Sequence, residues 1–180
     1  LTFNLLEGLK LNLFGAYTYN IVENSQYLPT SVWANGQAYK GTKKRESLLG
    51  NMMLTYKKNW KKHFFDVLAL AELQKETYTG YYTTVSNFST DKFGYNNLQA
   101  GALRLWEGTN SYYDQPRLAS FMGRFNYTYA DRYVLTLNAR TDASSKFGAN
   151  HKWGFFPSAS AAWVISEEEF MKQLPMVDNL

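Results

Sequence analysis

A Ser-His-Asp arrangement can be drawn from Ser145, His151 and Asp142, yet no Gly-x-Ser-x-Gly elbow frames Ser145. Asp66 and Glu72 alternate onto one face of an extended segment. Six residues at about 3.3 Å each set them about 20 Å apart, whereas two carboxylates that cleave a glycosidic bond stand about 5–9.5 Å apart. Glu167, Glu168 and Glu169 form an acidic cluster, but Ser166 before them completes a capping box with Glu169 at its third position, so the cluster reads as the start of a short helix that Pro175 ends. There is no cysteine, and His63 and His151 are the only imidazoles, which excludes disulfides, thiolate nucleophiles and multi-histidine metal sites. No glycine-rich phosphate loop is present. The chain therefore reads as a non-enzyme with no cofactor, no metal and no catalytic residue.

Binding chemistry is more plausible than catalysis. Aromatic residues make up 17% of the 180 residues. Trp33, Tyr81, Tyr82, Trp106, Tyr112 and Tyr113 sit in polar, Gly/Asn/Ser/Thr-rich stretches, where they either stack on sugar rings or peptide side chains, or pack loop against loop. The formal net charge is +4, and part of the excess lies in Lys43-Lys44-Arg45, Lys57-Lys58 and Lys61-Lys62. Beside Trp60 and Tyr56 the second cluster resembles a nucleic-acid patch. The same residues also suit snorkelling lysines at a lipid head-group level, which is the reading adopted here, so no nucleic-acid partner is expected.

What must position these residues is extended chain. Apolar residues recur with period two: Leu9, Leu11, Leu13, Tyr17, Tyr19; Leu48, Met52, Leu54, Tyr56; Phe65, Val67, Ala69, Ala71, Leu73. The alternation continues as Phe121, Phe125, Tyr127, Tyr129, as Tyr133, Leu135, Leu137, Ala139, and as Phe155, Ala159, Ala161, Trp163, Ile165. This predicts about six strands near 8–20, 45–57, 62–75, 117–130, 132–143 and 153–166, with long loops at 20–45, 76–116 and 143–152. Short and long connections alternate, as the periplasmic turns and extracellular loops of an outer-membrane barrel do. Tyr and Trp crowd the strand ends, where a bilayer interface favours rings with one dry and one wet edge. Arg124, Asn126, Arg140 and Asp142 fall on the polar side, where they line a water-filled lumen, either touching substrate or plug or stiffening the wall as an Arg–Asp network. A soluble half-buried sheet explains the alternation as well.

Gly123-Arg124-Phe125-Asn126-Tyr127-Thr128-Tyr129, Asp131-Arg132-Tyr133-Val134-Leu135, Arg140-Thr141-Asp142-Ala143-Ser144-Ser145-Lys146-Phe147-Gly148 and Trp153-Gly154-Phe155-Phe156-Pro157-Ser158-Ala159-Ser160-Ala161-Ala162-Trp163 together resemble the SusC/RagA family of TonB-linked outer-membrane receptors. Ile165 to Met171 and Val177 to Leu180 continue the likeness, and Tyr56 to Glu72 and Gly8 to Leu11 match more loosely. The resemblance implies an all-β fold: antiparallel up-and-down strands forming part of a large, 22-stranded transmembrane barrel, with one short helix near the C-terminal end. It places the chain in the cell outer membrane, in contact with lipid, as a segment of an importer of oligosaccharides or oligopeptides. It further implies a SusD-like surface lipoprotein as partner and coupling to TonB through a plug that residues 1–180 do not contain. The alternative is a soluble all-β carbohydrate-binding module that uses the loop aromatics.

Overall fold

The computed structural model describes residues 1–171; residues 172–180, including Pro175 and the Val177–Leu180 part of the family likeness, lie outside the described residues. Among the described residues the strands are β1 (Thr2–Leu6), β2 (Leu9–Leu28), β3 (Gln37–Trp60), β4 (His63–Phe88), β5 (Gly101–Asp114), β6 (Arg117–Tyr129), β7 (Tyr133–Ser144) and β8 (Trp153–Trp163). They form one sheet in the order β1-β2-β3-β4-β6-β7-β8, with β5 also paired to β4.

Eight strands stand where the sequence predicts six. β1 is a short addition at the start, paired antiparallel with β2. β5 has a different origin. Tyr78 pairs with Asp114, Glu76 N–H donates to Pro116 O at 3.0 Å, and Ala130 N–H donates to Lys62 O at 2.7 Å. These three contacts share one register, so β5 and β6 face β4 as a single strand interrupted at Gln115–Pro116, where proline brings no N–H to the ladder. With that joint counted as one strand, the connections alternate strictly. The short ones are Glu7–Gly8, Lys61–Lys62 and Ala130–Arg132, and the long ones span 29–36, 89–100 and 145–152.

The expected loops need correction. Most of 20–45 is strand, since β2 runs to Leu28 and β3 starts at Gln37, and most of 76–116 is the β4–β5 hairpin, leaving 89–100 as the true connection. Only 145–152 keeps nearly its predicted extent. Tyr- and Thr-rich chain favours pleated backbone even where its Gly and Asn content suggests loop.

The strands fall into two compact units: Leu1–Ala16, Leu49–Gln74 and the chain from Arg117 form one, and Tyr17–Leu48 with Lys75–Pro116 form the other. In the first unit, register turns the alternation into rows. Phe121, Thr141 and Phe155 lie side by side on β6, β7 and β8, followed by Gly123, Ala139 and Pro157; Phe125, Leu137 and Ala159; Tyr127, Leu135 and Ala161; and Tyr129, Tyr133 and Trp163. Among the described residues nothing covers this face. Phe155 is 66% exposed, Leu137 43% and Leu54 37%. Among the described residues only Ala38, Leu68, Val85 and Phe88 are buried hydrophobics. A soluble sandwich would bury these rows against a second sheet, and the described residues provide none.

The expected capped helix at Ser166 is replaced by a single 3-10 turn, Ile165–Glu167, with no side-chain capping bond. Ser166 lies inside the turn rather than before it, and Glu168 is already extended. The Glu168 carboxylate accepts from Tyr133 Oη at 2.7 Å, Arg132 at 2.8 Å and Trp163 Nε1 at 3.2 Å. With Glu168 held in this way the chain is extended directly after the turn, and Glu169, the acid the capping box needs, lies 3.6 Å from Arg132 instead of closing back on Ser166. The three donors hold the Glu168 carboxyl below the usual range, the Tyr133 hydrogen bond being the main cause.

The second unit has a small core of Ala38, Val85 and Phe88, with Tyr27, Leu98 and Ala100 packed on it. Tyr27 meets Phe88 edge-on at 5.4 Å. Asp91 closes the chain here: it accepts from Tyr27 Oη at 2.6 Å, Thr30 Oγ1 at 2.7 Å and Thr30 N–H at 3.1 Å. These bonds, the tyrosine's first, lower the Asp91 pKa.

Two predictions follow from these turns. Ala130 and Asp131 have φ of 52° and 56°, and Arg132 N–H donates to Tyr129 O at 3.0 Å, a type I′ turn. Alanine has no compensation for the left-handed region, so Ala130→Gly should stabilise the chain by about 0.5–1 kcal/mol, read from the denaturant midpoint. An unchanged or lower midpoint contradicts the turn. Because the folded pKa of Asp91 lies below its unfolded value, its contribution is present above about pH 4 and is lost as pH falls through the lowered pKa. Exchange protection of the Thr30 amide should fall over that acid window in the native chain and stay flat in Asp91→Asn.

Candidate functional site

Opposite the apolar rows, the same strands present a polar face. Ser120, Asp142 and Gly154 share a row; then Met122, Arg140 and Phe156; Arg124, Asn138 and Ser158; and Asn126, Thr136 and Ser160. All four predicted lumen-lining residues thus lie on one side. They do not form one cluster. Arg140 Nε donates to both oxygens of Asp142, at 3.0 and 2.8 Å, and its terminal nitrogen reaches Ser120 Oγ at 3.4 Å. Arg124 and Asn126 stand apart from this network, and Arg124 Nε is buried without a hydrogen-bond partner.

Beside the Arg140–Asp142 pair is a hollow of about 260 Å³, lined by Glu72, Gln74, Ser120, Arg140 and Asp142. The Nε–H shared between both Asp142 oxygens, with the terminal nitrogen on Ser120, holds the guanidinium in place, and the fixed charges suit orientation of a polar solute or of a polypeptide segment more than chemistry on either. Glu72 and Ser120 join the pair only through cross-strand register, as in the pairing of Ser120 with Asp142, which no local pattern in the sequence announces. Toward the turns, Lys57 Nζ lies 3.3 Å from Asp66, whose second oxygen is buried and unpartnered.

The triad drawn on paper does not assemble. Ser145 Oγ accepts from Arg117 N–H at 2.9 Å, and Asp142 is held by Arg140. The lysine cluster divides as well: Lys57 is paired, while Lys58, Lys61 and Lys62 lie exposed at the turn beside Trp60.

At that turn end the rings form a continuous belt. Trp60 stacks on His63 at 5.6 Å, His63 meets Tyr129 at 5.0 Å, Tyr129 stacks on Tyr133 at 6.4 Å and Tyr133 on Trp163 at 6.2 Å. His63 Nδ1 also lies 2.7 Å from Tyr127 Oη. At the opposite end of the rows Phe121 stacks on Trp153 at 6.0 Å. Trp153 and Trp163 are ten residues apart on β8, about 33 Å along a strand at ~3.3 Å per residue, which a tilt of about 40° projects to about 25 Å. That is the height of an outer-membrane barrel's apolar band.

In the second unit the six candidate ligand aromatics do not make one platform. Register puts Tyr81 with Ser111 and Tyr113 with Thr79 on one face, and Tyr82 with Asn110 and Tyr112 with Gly80 on the other. The Tyr112 ring lies over Gly80, where a Cβ would come within 2.7 Å of it, and Tyr82 packs on Tyr39 at 6.0 Å. Tyr113 Oη accepts from Gln115 Nε2 at 2.8 Å. Trp33 belongs to the 29–36 connection. Trp106 stands alone, 86% exposed.

No family model matches the chain. It is 30% identical over 174 residues to TonB-dependent receptor P3 of Formosa agariphila, covering 94% of this chain and 17% of that protein. To TonB-dependent receptor SusC of Bacteroides thetaiotaomicron it is 29% identical over 185 residues, covering 99% of this chain and again 17% of the relative. The chain thus spans about a sixth of the length of these curated relatives. Among solved structures, the RagAB peptide transporter superposes with a TM-score of 0.82 at 19% identity, over 94% of this chain and 19% of that one. Sheet, uncovered apolar rows and relatives agree: the chain belongs to the SusC/RagA family of TonB-dependent receptors and has the fold of their barrel wall.

Proposed function

We propose that this chain is a section of the wall of an outer-membrane nutrient importer. The observation that carries the reading is the uncovered apolar face of β6, β7 and β8, bounded by ring-rich rows at a bilayer's spacing. Lipid solvates that face, and the Arg140–Asp142 side lines the passage. The solutes are oligosaccharides or oligopeptides, delivered by a SusD-like lipoprotein and driven through TonB acting on a plug outside residues 1–180. That the relatives include SusC and a peptide transporter supports this assignment. The barrel has 22 strands, to which these contribute a section. Short turns such as Lys61–Lys62 face the periplasm, and the long connections, with Trp33 in the first of them, face outward toward the arriving ligand.

The test exchanges charge between the two faces at one depth. Leu137 occupies the middle apolar row and its neighbour Asn138 the polar face. In the full-length receptor, Leu137→Arg should cost about 2–4 kcal/mol and sharply lower the folded, membrane-inserted fraction, since a lipid-facing arginine at the midplane is expensive. Asn138→Arg should insert normally. Equal insertion of the two variants, or a wild-type chain that fractionates as soluble without detergent, refutes the wall reading.

A further inference from the structure

The bulge in the β4–β5 hairpin carries a separate feature. Between the pairs Tyr82–Asn110 and Thr84–Leu105 lie one residue of β4, Thr83, and four of β5, Trp106 to Thr109. This excess ejects chain from the ladder and re-aims a side chain, as bulges do. It is pinned rather than loose. Thr109 Oγ1 donates to Leu105 O at 3.1 Å, so the 3.0 Å contact between the Thr83 and Thr109 hydroxyls is donated by Thr83. Gly108 is required where the bulge returns, because a Cβ there would sit 2.6 Å from the Thr84 side chain.

The bulge frames a hollow of about 390 Å³, within the range of small-ligand sites. Val85 and Leu98 supply apolar lining; Trp106 and Arg104 stand on its wall beside Gln99. Arg104 makes no ion pair among the described residues, and Glu107, the acid within the bulge, does not line the hollow. An exposed indole, an unpaired guanidinium, an amide and two hydroxyls with acceptor capacity left over therefore converge on one mostly apolar space.

We infer that this hollow is a binding subsite for a carboxylate-bearing solute with a flat apolar face. The carboxylate pairs with Arg104 through two N–H bonds, the C–H face lies on Trp106, and neighbouring hydroxyl or amide groups meet Gln99 and Thr83. A uronate sugar and an acidic peptide both present this chemistry. The inference rests on the importer reading, because it supplies a selective contact for a passing nutrient.

The experiment measures affinities of the full-length, detergent-purified receptor for two matched pairs of probes: digalacturonate against neutral galactobiose, and an aspartate-containing tripeptide against its asparagine form. The wild type should bind the acidic member of one pair about tenfold tighter than its neutral counterpart, and the pair that shows this identifies the source of the carboxylate. Arg104→Gln should erase that difference without weakening the neutral probe, Arg104→Lys should restore part of it, and Trp106→Ala should weaken both members severalfold. The site is overturned if neither acidic probe binds, or if the acidic preference survives Arg104→Gln. Solute uptake by cells carrying the wild-type receptor is measured alongside: uptake with no acidic preference removes only this subsite, whereas a receptor that supports no uptake removes the importer reading on which it rests.

Discussion

A β-sheet immersed in hydrocarbon must satisfy every main-chain donor and acceptor within itself while showing lipid only apolar atoms. That constraint accounts for the period-two pattern, the antiparallel neighbour-to-neighbour order and the scarcity of a buried core in this chain. In the proposed wall, the exposed Leu54, Leu137 and Phe155 meet lipid rather than water. The sheet order leaves β1 and β8 at its ends, and within a barrel those edges meet further strands, since an open edge is not tolerated in lipid.

The polar face answers to the opposite demand. The Arg140–Asp142 pair is partly exposed, at 45% and 36%, so it carries little of the desolvation cost of a buried pair. Its value is geometric. Arg140 is locked between Asp142 and Ser120, across β6 and β7, and presents a fixed charge on the polar face. Arg124 has no such lock.

Much of this was legible in sequence, and the failures have identifiable causes. Alternation at Phe121–Tyr129 and Tyr133–Ala139 assigned both faces correctly because residue type follows the pleat residue by residue. Strand length was not legible, because Tyr, Thr, Asn and Gly in 20–45 and 76–116 serve both hairpin and loop. The grouping of ligand-facing aromatics depended on the β4–β5 register, which a bulge shifts between Tyr82 and Thr84; no local pattern announces that shift. The capping box at Ser166 failed because Glu168 is drawn to Arg132, Tyr133 and Trp163, more than thirty residues back for the first two.

Pro116 bears on how the sheet comes apart. It withholds one rung at the junction of β5 and β6, the point at which the chain also passes from one compact unit to the other. Fraying that starts at the distal tip of the β4–β5 hairpin meets an already missing rung there, and has no cooperative reason to travel on into β6. The proline works as a firebreak: the β4–β5 ribbon can breathe, or tolerate sequence drift, while the ladder that β6 forms stays zipped.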